Sequence, residues 1–304
     1  MKLGIMTGAI PDPTASIDNF IAMAKDVEAR GFASLWLANT RGHDAVTAMA
    51  MAGRETGRIE VGTAVTPIQP RHPTALAQQA LTASALARGR FTLGVGLSHK
   101  VVIEDTLGLS YAQPAKTMRE YLEILMPLLG HEMAAFKGDL YRSKIEMIVP
   151  DAANPVPVVV AALGPMMLGL VGRYTDGTAL WMTGPATISD HIVPTMSAAA
   201  QEAGRPAPRV IAGFPVVLTD DVDGAREKVD QILQVYGQLP SYRAMMDREG
   251  AANPSDIALI GDEAALDAKI AQIAASGATE MISVLLETEP GAKARTMEYL
   301  QGKL

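Results

Sequence analysis

The sequence predicts an α/β protein built as a (β/α)8 barrel, a TIM barrel, with insertions covering the mouth at the C-terminal ends of its strands. Three observations lead there. Short apolar runs alternate with longer amphipathic stretches almost from end to end. Eight such pairs fit into 304 residues, a length usual for one barrel domain. No linker, low-complexity tract or change of composition divides the chain, so residues 1–304 read as one domain. A doubly wound sheet is the competing arrangement, because it uses the same alternation.

Leu3–Met6 reads as the first strand. Ser16–Arg30 is its helix, with Ile17, Phe20, Ile21, Ala24 and Val27 on one face and Gly31 as the stop. Ser34–Leu37 and Asp44–Glu55 form the second pair, Glu60–Thr66 and Thr74–Ala87 the third, Phe91–Gly96 and Ala115–Leu129 the fourth. Residues 137–155 (KGDLYRSKIEMIVPDAANP) read as an extended excursion and not as a barrel helix. Val156–Ala162 is wholly apolar, as a strand covered on both faces must be, and Pro165–Tyr174 is the helix after it. Ala179–Met182 precedes the helix Thr187–Ala203, and Val210–Thr219 precedes Val222–Tyr236. Residues 239–256 (LPSYRAMMDREGAANPSD) lengthen that last connection and read as helical lid material. Asp262 is a good N-cap for Glu263–Ala275, Gly277 ends it, and Glu280–Leu286 is the eighth strand.

Composition narrows the function. A hydrophobic content of 48% with 19% charged residues gives a large core and no sign of disorder. A net charge of −7 argues against nucleic acid or an anionic membrane as the main partner. With no cysteine, disulfides, thiol nucleophiles and thiolate metal sites are excluded. No HExxH or similar cluster has metal-ligand spacing, so no metal site is expected. The N-terminal MKLGIMTGAIPDP is broken by glycine and threonine, and no run approaches a membrane span. A cytoplasmic protein is the expectation.

In a barrel, chemistry is built on the loops that follow the strands. Here those loops are GAIPDP, ANTRGHD, TPIQPRHP, LSHK, LGPMM and MTGP, all rich in turn and polar residues. Gly62, Thr63 and Ala64 thin the third strand, and Pro67, Pro70 and Pro73 brace its exit. Gly94 and Gly96 thin the fourth, so the two strands together suggest a flat-walled slot for a planar ligand. The GVG run lacks the third glycine of a dinucleotide fingerprint. Gly164–Pro165 opens a helix whose free N–H groups at Met166 and Met167 would face an anion. His99, with Lys100 beside it, is the best acid–base candidate, lying just past strand four. His43 and His72 read as helix-terminal or positioning residues, and His131 and His191 as surface residues. Ser98 has no GxSxG elbow around it. Trp36 and Trp181 end strands two and six, from which either could reach the mouth. Met166, Met167 and Met182 fall at strand ends, where a thioether could pack on a ring, and such an apolar mouth favours an uncharged or amphipathic substrate.

The motifs MKLGIM, ARGFASLWLAN, VGTAVTPIQPRHPTALAQQALTASALARGRFTLGVGLSH, AALGPMMLGLVGRYTDGTALWMTGP, QLPSYRAMMDREG and IALIGDE run nearly the length of the chain. In them the sequence resembles the luciferase-like monooxygenase superfamily, and within it the branch of oxidoreductases that use the deazaflavin coenzyme F420. The resemblance implies a barrel with an insertion over its mouth and a non-prolyl cis peptide at Ala64–Val65, in a bulge that backs the central ring of the coenzyme. It implies contact of the phosphate tail with Gly164, Pro165, Met166 and Met167, next to Ala162 and Leu163. Gly96, Leu97, Ser98 and His99 would lie beside the ring or ribityl chain, with Trp181, Met182 and Thr183 along the same wall and Asn39 and Thr63 near by. Many relatives carry an Asp–His pair after strand two, where this chain has Asn39–Thr40. His99 is then the nearest candidate for the catalytic acid or base. The implied activity is hydride transfer between F420 and a small organic substrate, in a homodimer. The alternatives are an FMN-dependent monooxygenase of the same fold and a non-enzymatic flavin- or deazaflavin-binding protein.

Overall fold

A computed structural model describes residues 1–10 and 15–304; the PDPT stretch of the loop after strand one lies outside them. The strands that close the barrel are β1 (Lys2–Thr7), β2 (Ser34–Leu37), β3 (Glu60–Thr63), β4 (Phe91–Gly96), β5 (Val158–Val160), β6 (Gly177–Trp181), β7 (Arg209–Leu218) and β8 (Glu280–Leu285). Each pairs in parallel with the next, and β8 pairs with β1, so the sheet closes on itself. Around it lie α1 (Ile17–Ala29), α2 (Ala45–Glu55), α3 (Pro73–Leu86), α4 (Pro114–Leu129), α5 (Pro165–Tyr174), α6 (Val193–Glu202), α7 (Val222–Gln238), α8 (Pro240–Glu249), α9 (Glu263–Ala275) and α10 (Ala292–Gln301).

Local chemistry starts these helices where the sequence says it should. Ser16, Asp44 and Asp262 cap α1, α2 and α9 by accepting the N–H of Asn19, Thr47 and Ala265 at 3.1, 2.9 and 2.8 Å. Each such cap is worth about 1 kcal/mol. The predicted helix Thr187–Ala203 is divided instead. Pro185–Thr187 leads into a π turn at Ile188–Ile192, and α6 follows. Pro194 brings no N–H to the ladder and its ring crowds the carbonyl four residues back, so the backbone widens there. The excursion at 137–155 contributes one strand to an antiparallel ribbon that begins earlier, pairing Ala134–Lys137 with Arg142–Ile145. Glu120 of α4 pins its turn by accepting the N–H groups of Asp139, Leu140 and Tyr141. Beyond the eight pairs, a short strand at Leu259–Gly261 adds to β7, and α10 occupies the tail.

The two ends of the barrel differ. At the N-terminal end, Arg209 donates to Glu280 from Nε at 2.9 Å and to Glu60 from Nη2 at 2.9 Å. Thr92 Oγ1 donates to Glu60 at 2.6 Å. These charged residues open β3, β7 and β8 and plug the floor. The C-terminal end is open.

Candidate functional site

A cavity of about 1240 Å³ occupies the open end, above the 300–1,000 Å³ usual for a single ligand site. Its wall includes Ala64 and Val65, which follow β3 and are joined by a cis peptide bond. After it, Thr66 and Pro67 resume pairing with Val95 and Gly96 of β4. The glycines nearby serve a different purpose from the one expected. A Cβ on Gly62 would lie 2.4 Å from the Trp36 ring, and one on Gly94 would lie 1.8 Å from the Thr63 carbonyl oxygen. A Cβ on Gly96 would meet Val65 Cγ2 at 2.6 Å. The thinned strands therefore make room for protein, and their packing pushes Ala64 and Val65 forward into the cavity wall. Trp36 is fully buried behind them and does not reach the mouth.

Asn39, Leu97, Ser98 and His99 line the cavity, as do Ala162, Leu163, Gly164, Met167 and Trp181. Gln69 Nε2 holds the Leu97 carbonyl at 2.7 Å, and Tyr111 Oη donates to the Ser98 carbonyl at 3.3 Å. Ser98 sits in the left-handed region at φ 57°, a conformation that turns β4 sharply into its loop. Six of the anticipated residues lie outside the lining. Thr63 is buried, its hydroxyl donating to the Gly94 carbonyl at 2.7 Å and accepting the Gly94 N–H at 2.9 Å. Gly96 backs Val65. Met182 is buried, and Thr183 turns its hydroxyl to the Trp181 carbonyl at 3.3 Å. Pro165 and Met166 begin α5 on the exterior, Met166 being 74% exposed. Among the methionines, Met6 and Met167 reach the cavity.

His99 lies against two aromatic rings, Tyr242 at 5.9 Å and Tyr236 at 6.5 Å between centroids. Tyr236 and Tyr242 meet edge to face at 5.0 Å, and Trp181 meets Tyr236 at 6.0 Å. Burial in this cluster holds the His99 imidazole below its ordinary pKa and pushes both phenols up. The Trp181 indole opposes that rise at Tyr236, although its N–H reaches no acceptor in hydrogen-bond geometry. Tyr236 comes from α7, which the sequence shows only as a barrel helix, and Tyr242 from α8, in the stretch it shows only as lid material. Two tyrosines six residues apart, astride Pro240, were the available signal.

The remaining histidines divide between capping and packing. His43 Nε2 donates to the Ala15 carbonyl at 3.1 Å, and His72 caps α3 by accepting the Thr74 N–H at 3.3 Å. His131 is exposed. His191, expected on the surface, is buried in the π turn. Its Nε2 donates to the Leu163 carbonyl at 2.8 Å, which fixes the cavity loop ahead of α5. Lys100 points away and pairs with Glu104 at 3.6 Å.

A sequence profile of the family described as luciferase-like monooxygenase matches residues 1–286. The chain belongs to the luciferase-like monooxygenase family. A relative in Mycobacterium tuberculosis, provisionally named a coenzyme F420-dependent oxidoreductase, is 29% identical over 258 residues, covering 78% of this chain and 72% of its own. A 5,10-methylenetetrahydromethanopterin reductase of Methanolobus tindarius is 27% identical over 241 residues, covering 79% and 72%. The solved coenzyme F420-dependent tetrahydromethanopterin reductase of Methanopyrus kandleri has the same fold, with a TM-score of 0.80 and 20% identity over 100% of this chain and 98% of that one.

Within this luciferase-like barrel, Asn39 Oδ1 accepts the Ala45 N–H at 3.0 Å, so the position after β2 is spent on capping α2. At the other side of the cavity, a Cβ on Gly164 would meet nothing within 4 Å. The N-terminus of α5, with no side chain capping it, therefore opens onto free space beside the cavity. Such a helix end presents roughly half a positive charge and unpaired N–H groups, a cradle that fits a phosphate. Among the described residues, no helix is long and apolar enough to cross a membrane.

Proposed function

We propose that the protein is an F420-dependent oxidoreductase that transfers hydride between the deazaflavin and a small organic substrate. The observation that carries this is the joint placement of the Ala64–Val65 wall, the uncapped N-terminus of α5 and a half-buried His99 around one cavity. The Mycobacterium tuberculosis relative named for F420 favours the deazaflavin over FMN. When bound, the coenzyme supplies a carbon centre that accepts or donates hydride, and the protein supplies orientation and electrostatics.

In this proposal Ala64 and Val65 support the ring, while the N–H groups of Met166 and Met167, with Gly164, hold the phosphate. Leu97, Ser98, Leu163 and Trp181 flank the same ligand. His99 faces the substrate, neutral near pH 7 because burial disfavours its charged form. It takes the proton from a substrate hydroxyl, or returns it in the reverse direction. Tyr236 and Tyr242, kept protonated by burial, shield that proton from water. Residues 239–256, including α8, form the lid of a single-domain barrel. A homodimer is part of the proposal and rests on the family resemblance alone.

Titration of the purified protein with F420 and, separately, with FMN tests the assignment. Micromolar or tighter binding of F420 with weaker binding of FMN supports it. Tight binding of FMN alone would overturn it.

A further inference from the structure

The rim of the cavity carries an apolar feature that the hydride-transfer reading does not use. Val102 and Leu107, from the segment after β4, are 37% and 46% exposed, and Ile232 and Val235 of α7 are 42% and 55% exposed. All four also line the cavity. Scattered exposed aliphatic side chains are ordinary on a protein surface. Four that converge on one opening from two separate elements are not scattered, and Val101 and Leu109 extend the strip outward with 51% and 38% exposure.

The charges are distributed in the complementary way. No aspartate, glutamate or lysine lines the cavity among the described residues. Its arginines, Arg41 and Arg71, come from the loops after β2 and β3, and Arg71 is already paired with Asp44 at 2.5 Å. A cationic substrate would find no carboxylate. The polar groups of the lining include Asn39, Thr40, Ser98 and Tyr111, while His99, Tyr236 and Tyr242 make one aromatic cluster beside the rim residues of α7. The aliphatic rim is thus the more exposed part of the lining, and the hydrogen-bonding aromatic cluster is the less exposed part.

We propose that the substrate is an uncharged alcohol or ketone bearing an apolar chain, with its oxygen at His99 and its chain leaving between residues 101–109 and α7. This rests on the oxidoreductase reading above and names its substrate class. Val102, Leu107, Ile232 and Val235 set the specificity by covering the chain. The arrangement requires that each methylene the rim covers be removed from water, which strengthens binding roughly threefold per carbon.

A series of straight-chain 2-alkanols and the matching 2-alkanones tests this. With F420, kcat/KM for the alcohols is expected to rise roughly threefold per methylene until the chain extends past the rim. Calorimetric titration of the 2-alkanones, with no coenzyme present, is expected to show the same progression and a negative heat-capacity change. Val235→Asp and Leu107→Asp are expected to flatten both progressions. F420 titration of each variant reports separately on the coenzyme site. A flat chain-length series in the wild-type protein, or a preference for short anionic substrates, would overturn the proposal. So would a Val235→Asp variant that breaks an oligomer while keeping the full chain-length dependence, because the strip would then belong to a subunit interface. Failure of F420 to bind, with the 2-alkanone progression intact, would remove the coenzyme assignment and leave the substrate class standing.

Discussion

The Glu249 carboxylate accepts the Thr187 backbone N–H at 2.7 Å and the Thr187 hydroxyl at 2.8 Å. It also takes the Ala186 N–H at 3.1 Å, and Gly184 leaves room for it, since a Cβ there would lie 2.2 Å from Glu249 Cδ. One side chain at the end of α8 thus satisfies the start of the helical segment after β6. The contact ties the 239–256 segment, which carries Tyr242, to the barrel.

Glu249→Ala is expected to lower unfolding stability by about 2 kcal/mol, since buried donors lose a charged acceptor. The melting temperature should fall by roughly 3 °C, and Glu249→Gln should restore part of the loss. Thermal unfolding followed by circular dichroism checks this, and an unchanged midpoint in the alanine variant would show that the clamp is not needed.

His99 should leave a signature in the pH profile. Burial holds its pKa below the ordinary value near 6.5. The neutral imidazole, the form able to accept a proton, therefore persists below that value. Alcohol oxidation should stay level through neutral pH and fall only as pH drops through the lowered pKa. His99→Gln is expected to lower kcat/KM about a hundredfold and to abolish that acid limb, with F420 binding retained. A limb that survives in the variant would assign it to another group.

Gly94 and Gly96 should respond differently to the same added methyl group. At Gly94 the obstacle is the Thr63 carbonyl, which is backbone, so Gly94→Ala is expected to cost about 3 kcal/mol of stability. At Gly96 the obstacle is the end of the Val65 side chain, which can shift toward the cavity. Gly96→Ala should leave stability within about 1 kcal/mol and weaken F420 binding about tenfold. Urea unfolding and coenzyme titration on the two variants separate these outcomes.

The floor of the barrel predicts a pH-dependent defect. Arg209 is the shared partner of Glu60 and the buried Glu280. Arg209→Met leaves two carboxylates facing each other and is expected to cost about 3–5 kcal/mol near neutral pH. Burial already holds the Glu280 carboxyl above its ordinary pKa, and Glu60 adds to that rise. Without Arg209 the rise is larger, so the folded variant binds a proton that the unfolded chain releases as pH climbs. The defect should therefore shrink as pH falls through the raised Glu280 value and grow above it. Denaturation midpoints at acidic and neutral pH measure this directly, and a defect independent of pH would contradict it.

Periodicity alone located all eight barrel strands, and the cap at Asp262 located a helix start, because both signals are local. A strand shows itself in consecutive side chains, and a cap acts within one turn of the residue that makes it. The loops that would carry the site were legible for the same reason, since strand order alone fixes which ends share a face. His99, Leu163, Gly164 and Trp181 were found this way, and the cavity gathers them. What lies behind a glycine is a different matter. Gly62, Gly94 and Gly96 announce that something comes close, and only the closed barrel shows that it is Trp36, the Thr63 carbonyl and Val65. His191 was misplaced because its burial depends on a π turn set by Pro194 and on a carbonyl 28 residues away. Tyr236 and Tyr242 join His99 only when α7 and α8 fold over strand four, more than 130 residues earlier in the chain. The elements, their order and the end of the barrel where chemistry belongs are readable from sequence, because they follow from neighbours in the chain. The tertiary structure decided which small residues face a ligand and which face the protein, because that depends on contacts between segments far apart in sequence.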